Sequence, residues 1–161
     1  MWKIPSGLFV IPRDVYIDVV KGAQLEKVAE NYDFLKSFMM FGNVKKDTVM
    51  SMARILGVRR YGSNQIVFKQ HDAPEGIFFI QSGTVNLTRH ITDFGFDKVI
   101  DVNQVGKNQA IGDYEVLKGK KMRCTATTMM PCTMMFANRA DVNTLGSSQL
   151  MDFNKMMKPF L

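Results

Sequence analysis

The sequence predicts an α+β fold in which helices precede and follow about eight short strands. Apolar residues recur at helical spacing up to Gly57, occur in short strand-like runs after it, and return to helical spacing beyond Phe136. Turn-forming residues interrupt the central part about every 8–12 residues, a spacing typical of a β-sandwich or barrel. With 161 residues, the chain is long enough for one domain with its own core.

The N-terminal part is predicted to be helical. The pattern begins at Pro12, because proline is favoured in the first turn of a helix. We expect Gly22 to interrupt this helix and a second one to run from Ala23 to about Asn31. An apolar run that must dock on other elements follows, and a further helix ends at Gly57. The run contains Phe34, Leu35, Phe38, Met39 and Phe41, and the helix presents Val49, Met52, Ala53 and Leu56 on one face.

The central strands and the final helices complete the predicted order. The predicted strands are 58–61, 66–69, 77–81, 85–91, 96–102, 110–111, 122–128 and 132–136. Asn138 or Asp141 can open a short helix that ends near Gly146. A last helix can start at Ser147 or Ser148 and reach Pro159. We expect the chain to form one domain with three parts. These are a roll of strands (58–137), an N-terminal helical segment packed on it (1–57) and C-terminal helices (138–161).

Composition narrows the function. The net charge of +6, from 21 basic and 15 acidic residues, suits an anionic partner. No run of about 18 apolar residues is present, so we expect no insertion into a membrane. Pro5, Ser6 and Gly7 break the start too early for a signal peptide. The expected lack of a signal peptide and the presence of only two cysteines, Cys124 and Cys132, favour a reducing, cytoplasmic compartment.

Enzyme, metal and nucleic-acid functions lack their motifs. The two histidines, His71 and His90, stand in no catalytic or metal-binding pattern, and glycine-rich nucleotide motifs of the Walker and dinucleotide-binding types are absent. Only 24 residues follow Ala137, too few for a helix-turn-helix domain after a connecting helix. We therefore expect a binding module that is not an enzyme, with no catalytic residues, no metal, no cofactor and no nucleic-acid partner.

One constellation is suited to an anion. Gly112 is followed by a segment, 113–117, that is typical of a strand ending in a single helical turn. Free amides at the start of such a turn attract anions, and a guanidinium from Arg123 can oppose them. The other interpretation is that Arg123 pairs within the protein with Asp113 or Glu115.

The stretch from about Phe34 to Val142 resembles the cyclic-nucleotide-binding domain of kinase regulatory subunits, gated channels and catabolite-activator-type regulators. The resemblance rests on 61–68 (YGSNQIVF), 72–85 (DAPEGIFFIQSGTV), 105–113 (VGKNQAIGD) and 123–127 (RCTAT), and on the order of Gly62, Gly83, Gly106, Gly112 and Arg123. It implies an eight-stranded antiparallel β-roll (jelly roll), flanked by an N-terminal helical bundle and C-terminal helices. It also implies a pocket for cAMP or cGMP.

The resemblance also implies a set of ligand-binding residues. They are Gly112, Asp113, Tyr114, Glu115, Arg123, Cys124 and Thr125. Gly112 corresponds to the glycine of the family's phosphate-binding cassette and Arg123 to its phosphate-binding arginine. Asp113 takes the place of a glutamate that binds the ribose 2′-hydroxyl. Thr125 and Thr127 lie on the strand beneath the base, and Cys124 stands where a threonine in some members favours guanine.

Two differences from the family's cassette pattern leave a second interpretation open. Asp113 is one methylene shorter than glutamate, and Glu115 replaces a small residue whose amide faces the phosphate. A carboxylate about 4 Å from a phosphate costs about 4 kcal/mol at an effective dielectric near 20, or about 10³-fold in affinity, if Glu115 points inward. The chain is then either a cyclic-nucleotide switch or a degenerate member that serves as a structural or protein-docking module.

The switch hypothesis includes moving elements and a partner. Ligand binding would tighten the cassette and let the C-terminal helices fold over the base, and the N-terminal helices would be a second moving element. The residues that can cap the purine by stacking are Phe153, Met157 and Phe160, for which ordinary helix packing is the other interpretation. We expect the effector, a domain or a protein, to lie outside this chain.

Overall fold

The computed structural model describes residues 12–38, 41–146 and 151, and places helices beside two antiparallel sheets. The described helices are α1 (Arg13–Lys36), α2 (Lys46–Ile55), α3 (Asp113–Lys118) and α4 (Arg139–Asn143). The strands are β1 (Leu56–Tyr61), β2 (Ile66–Phe68), β3 (Gly76–Ser82), β4 (Val85–Asp93), β5 (Phe96–Val105), β6 (Ala110–Ile111), β7 (Thr125–Thr128) and β8 (Cys132–Asn138). The predicted eight-stranded antiparallel roll with flanking helices is confirmed.

The two sheets have four strands each. Their strand orders are β1-β8-β3-β6 and β2-β7-β4-β5. The strand β3 contains a continuous apolar run because both of its faces are buried. Ile77 and Phe79 contact the helical layer, whereas the neighbouring Phe78 and Ile80 point between the sheets. The first sheet is therefore covered on both sides.

Two cores hold these layers together. The core between the sheets includes Phe78, Ile80, Val85, Ile111 and Met134. The core between the helices and the first sheet contains the described residues of the predicted apolar run, Phe34, Leu35, Phe38 and Phe41. Phe38 packs edge-on against Phe34, Phe41 and Phe79 with ring centroids 5.0, 6.3 and 5.6 Å away. The run therefore docks the end of α1 on β3, and it carries the residues that join the helical layer to the roll.

Three local predictions differ from the structure or are narrowed by it. The expected break at Gly22 is wrong, because α1 continues through it. A glycine costs only about 1 kcal/mol relative to alanine inside a helix, too little to break a 24-residue helix. The strand predicted from Met122 begins only at Thr125. Asn138 is the N-cap of α4, since its side chain accepts a hydrogen bond from the Ala140 amide at 2.9 Å.

Some predictions fall where the structure is not described. The last predicted helix lies outside the described residues except for Met151, and so do the suggested base-capping residues Phe153, Met157 and Phe160. No described helix is both long and apolar enough to cross a membrane. Within the described ranges, no three histidine, cysteine, aspartate or glutamate side chains gather as a metal site.

Candidate functional site

A tight turn between β6 and α3 carries the residues that are predicted to form the cassette. Gly112 has φ +79°, the left-handed conformation that glycine adopts without a steric penalty. Its carbonyl accepts a hydrogen bond from the Val116 amide at 3.1 Å, which starts the six-residue helix α3. Gly119, with φ +62°, ends α3 and donates its amide to the Glu115 carbonyl. Two left-handed glycines therefore fix where α3 begins and ends.

Replacing Gly112 with alanine is expected to destabilise the fold by at least about 1–2 kcal/mol, the cost of a left-handed alanine. The added Cβ would also lie 3.1 Å from the Gly76 carbonyl oxygen and 3.1 Å from Met122 Cε. Urea denaturation measures the loss. Gly22→Ala is the matched control, because nothing lies within 4 Å of its Cβ and alanine favours the helix by about 0.5–1 kcal/mol. Equal stability of the Gly112 variant and wild type would contradict this account of the turn.

Glu115 and Arg123 form an ion pair at the centre of the candidate site. The Arg123 Nε–H donates to Glu115 Oε1 at 2.8 Å. The Glu115 side chain is only 8% exposed, whereas the Arg123 side chain is 31% exposed. A buried carboxylate needs such a partner, because leaving a charge buried and unpaired is strongly unfavourable. Of the two carboxylates that the sequence offered as internal partners of Arg123, Glu115 makes the direct contact, and its side chain points inward.

The ring of Tyr114 lies against the same guanidinium. The Arg123 guanidinium carbon is 4.4 Å from the ring centroid, within the range of a cation–π contact. Lys120 Nζ is 5.8 Å from the same centroid. Arg123 is therefore held by a carboxylate and by an aromatic face. The family resemblance places Tyr114 among the ligand-binding residues, but nothing in the sequence pattern indicates where its ring points.

Asp113 lies beside this pair and adds a second carboxylate. Burial raises the pKa of Asp113, and the charge of Glu115 raises it further. Hydrogen bonds from the backbone amides of Tyr114 and Asp113, and the charge of Arg123, oppose the rise in pKa. Because burial is the largest cause, the charged form of Asp113 is disfavoured in the folded protein.

Asp113→Asn is expected to raise the thermal midpoint at neutral pH, by about 2–4 °C for each kcal/mol gained in a domain of this size. The raised pKa means that the folded state holds the proton more tightly than the unfolded state. The contribution of Asp113 to stability is therefore complete below its ordinary pKa of 3.8 and is lost as pH rises through the folded pKa. Thermal unfolding of both proteins between pH 4 and 7 measures the difference, which should grow with pH. A difference in thermal midpoint that stays constant with pH would contradict the raised pKa of Asp113.

The remaining predicted site residues follow Arg123. Burial raises the pKa of the Cys124 thiol, and the nearby Glu115 charge adds to the rise, whereas Arg123 and Arg89 lower it. The hydroxyl of Thr125 accepts a hydrogen bond from the Gln70 amide at 3.0 Å. The structure thus gathers Gly112 through Glu115 around Arg123, and engages the Thr125 hydroxyl in a backbone contact.

Sequence reasoning missed the role of Gln70. Its side chain accepts a hydrogen bond from the His90 amide at 2.7 Å and donates to the His90 carbonyl at 3.1 Å. Together with the Thr125 contact, these bonds tie the end of β2 to β4 and β7. The neighbouring His71 has φ +72° and donates its amide to the Met122 carbonyl at 2.8 Å, which positions the segment before Arg123. A glutamine next to a turn gives no sequence signal for such a role.

Comparison with known proteins identifies the family. The sequence profile described as "Cyclic nucleotide-binding domain" matches residues 58–149, more than half of the chain. The chain belongs to the cyclic nucleotide-binding domain family. The suspected resemblance is therefore confirmed, and the domain is of the type found in regulatory subunits of cyclic-nucleotide-dependent kinases.

The relatives and solved structures that resemble this domain are longer than the segment they share with it. The Drosophila melanogaster cAMP-dependent protein kinase type II regulatory subunit is 28% identical over 109 residues, which are 67% of this chain and 28% of that protein. The regulatory domain of Toxoplasma gondii PKA, solved with cAMP, has a TM-score of 0.75 at 15% identity and covers 90% of this chain and 55% of its own. The regulatory subunit of a cAMP-independent Trypanosoma cruzi protein kinase A, bound to guanosine, has a TM-score of 0.73 at 16% identity, with coverages of 92% and 52%. The chain thus spans about a quarter of that relative and about half of these two solved chains.

Proposed function

We propose that this chain is a regulatory module whose cassette binds a purine nucleoside or its 3′,5′-cyclic phosphate, cAMP or cGMP. The observation that carries the proposal is that Arg123 and Glu115 meet at α3, inside a domain of the cyclic nucleotide-binding family. Solved proteins with this fold include one with cAMP and one with guanosine. Proteins with this fold therefore bind both ligand classes, which supports a site for either class in this chain.

Packing on α3 supports transmission of binding to the helices. Glu115 on this helix contacts Arg123, whereas the adjacent Val116 is 3% exposed and belongs to the core shared with α1, α2 and α4. A ligand that contacts Glu115 therefore binds to the same short helix whose Val116 packs in this core. Ligand binding shifts such an equilibrium by the difference in its affinity for the two arrangements.

The output of the switch requires another protein or domain. The kinase relatives extend well beyond the segment that this chain matches. We infer that the effector is a partner outside residues 1–161, and that the module works in the cytoplasm without a metal or a resident cofactor. The net charge of +6 favours a partner or ligand with negative charge.

Thermal-shift titration tests the proposal. The probes are adenosine, guanosine, cAMP and cGMP, each followed by calorimetry if it raises the midpoint. A ligand at 100 times its dissociation constant adds about 2.7 kcal/mol of stability, which is about 5–10 °C for a domain of this size. A shift with any of the four supports the module, and no shift with any of them at millimolar concentration contradicts it.

The docking-module interpretation is the second candidate. It is favoured by the same ion pair, because Arg123 and Glu115 satisfy each other within the protein without a ligand. In that case none of the four probes shifts the midpoint, and Arg123 has only a structural role.

A further inference from the structure

The charges around the cassette are unfavourable for an anionic ligand. Asp113 and Glu115 supply two carboxylates, whereas Arg123 is the guanidinium in direct contact with one of them. The ion pair of Glu115 and Arg123 is neutral overall and Asp113 adds no positive charge, so these three side chains offer no net positive charge to an anionic ligand. A cyclic phosphate would bring a negative charge beside the carboxylate of Glu115, whose side chain is only 8% exposed.

The other cations near the site are Arg89, which lowers the pKa of Cys124, and Lys120, whose Nζ lies 5.8 Å from the centre of the Tyr114 ring. Lys118, Lys120 and Lys121 are solvent-exposed, and an exposed charge acts more weakly than a buried one because the effective dielectric is higher. The Tyr114 ring further restricts Arg123 by covering its guanidinium. Glu115 occupies the Nε–H of Arg123, so a phosphate that binds the remaining guanidinium N–H groups must lie close to the Glu115 carboxylate.

The hydrogen-bonding groups of the ligand also favour a nucleoside over its cyclic phosphate. An ionised carboxylate only accepts hydrogen bonds, so a ligand group that hydrogen-bonds to Glu115 must be a donor. A free nucleoside offers the 2′-, 3′- and 5′-hydroxyls as donors. Its 3′,5′-cyclic phosphate has two of these oxygens tied up as esters, and only the 2′-hydroxyl still donates. Cyclisation thus removes donors that Glu115 can use and adds the charge that it repels.

We propose that the cassette selects a neutral purine nucleoside over its 3′,5′-cyclic phosphate, and that Glu115 is the residue that determines this choice. The inference deepens the function proposed above and rests on it. Glu115 accepts hydrogen bonds from ribose hydroxyls while it keeps its bond to Arg123, and Arg123 holds the carboxylate in place rather than binding phosphate.

Calorimetry with adenosine, guanosine, cAMP and cGMP on the wild-type chain tests the inference without any variant. We expect at least one nucleoside to bind about 10²–10³-fold more tightly than its own cyclic phosphate, the factor that a nearby carboxylate imposes on a phosphate. The 3′-deoxy and 5′-deoxy forms of that nucleoside identify the donors. Loss of a hydrogen bond to a buried carboxylate weakens binding about 10–100-fold.

Glu115→Gln is the informative variant because glutamine keeps the size of the side chain and removes its charge. We expect it to narrow the preference for the nucleoside by at least 10-fold and to strengthen binding of the cyclic phosphate. Glu75→Gln is the matched control. It breaks another glutamate–arginine ion pair, with Arg59 at 3.1 Å, whose glutamate side chain is 70% exposed, and it should leave the preference unchanged.

The outcomes separate this inference from the function on which it rests. A cyclic phosphate that binds wild type as tightly as its nucleoside, or more tightly, overturns the selectivity and leaves the ligand-binding module standing. No binding of any probe by wild type overturns both. If a nucleoside is preferred but Glu115→Gln folds and keeps the full preference, the role of Glu115 is wrong.

Discussion

Replacing Arg123 with alanine is expected to lower the stability of the unliganded protein by about 3 kcal/mol. The substitution leaves the Glu115 carboxylate buried without its partner, and removing one side of a buried ion pair typically costs about 3–5 kcal/mol. We expect the lower end of that range because the Arg123 side chain is 31% exposed and water reaches part of the pair. A loss of this size corresponds to about 6–12 °C in the thermal midpoint.

A double-mutant cycle separates the interaction energy of Glu115 and Arg123 from the energies of their other contacts. Glu115→Ala should cost less than Arg123→Ala, because the guanidinium that remains can turn towards solvent. The double variant should be more stable than Arg123→Ala alone, since it no longer contains an unpaired buried carboxylate. Urea denaturation of the four proteins gives the coupling energy. Additive losses would mean that the contact between Glu115 and Arg123 contributes nothing measurable.

The ion pair also sets the energetic condition for binding a phosphate. A cyclic phosphate that uses the Nε–H of Arg123 must compete with a carboxylate already bound to it at 2.8 Å. If the site accepts phosphate only when this pair is open, the apparent affinity falls in proportion to the open fraction. Stability of the pair and affinity for a cyclic phosphate therefore change in opposite directions, so the cycle and the titrations report on the same contact.

The fold was predictable because its signals are local. The change from helical to strand-like periodicity after Gly57, and the turns between short strands, follow from the sequence. The continuity of α1 through Gly22 was not predictable in this way. Whether a helix tolerates a glycine depends on the rest of the helix and on how it docks, and Leu35 at its end is fully buried.

The candidate site was predictable only in part. The positions of Gly112 and Arg123 pointed to the cassette, and Asp113 or Glu115 was recognised as a possible internal partner for the arginine. The choice of Glu115 depends on which side of α3 faces Arg123, a property of the tertiary structure. The contacts of Gln70 with His90 and Thr125 join three strands that are distant in sequence, and no local pattern encodes them.

Phe38→Ala is expected to have a still larger effect, a loss of about 3–5 kcal/mol, the usual cost of truncating a buried phenylalanine. Phe38 is 1% exposed, and its ring packs against Phe34, Phe41 and Phe79. Because Phe79 lies on β3 and Phe34 on α1, the cavity would open where the helical layer meets the roll. Thermal and urea unfolding measure the loss, and hydrogen exchange locates it at the end of α1.

Phe94→Ala is the matched control for this prediction. Phe94 is fully exposed in the turn between β4 and β5, so the same truncation there removes no buried contact and should change stability by less than about 0.5 kcal/mol. If Phe38→Ala is as mild as the control, the helical layer is not anchored through this ring. The route from α3 to the helices through the shared core would then lose its physical basis, because Val116 lies in the same core cluster as Phe38.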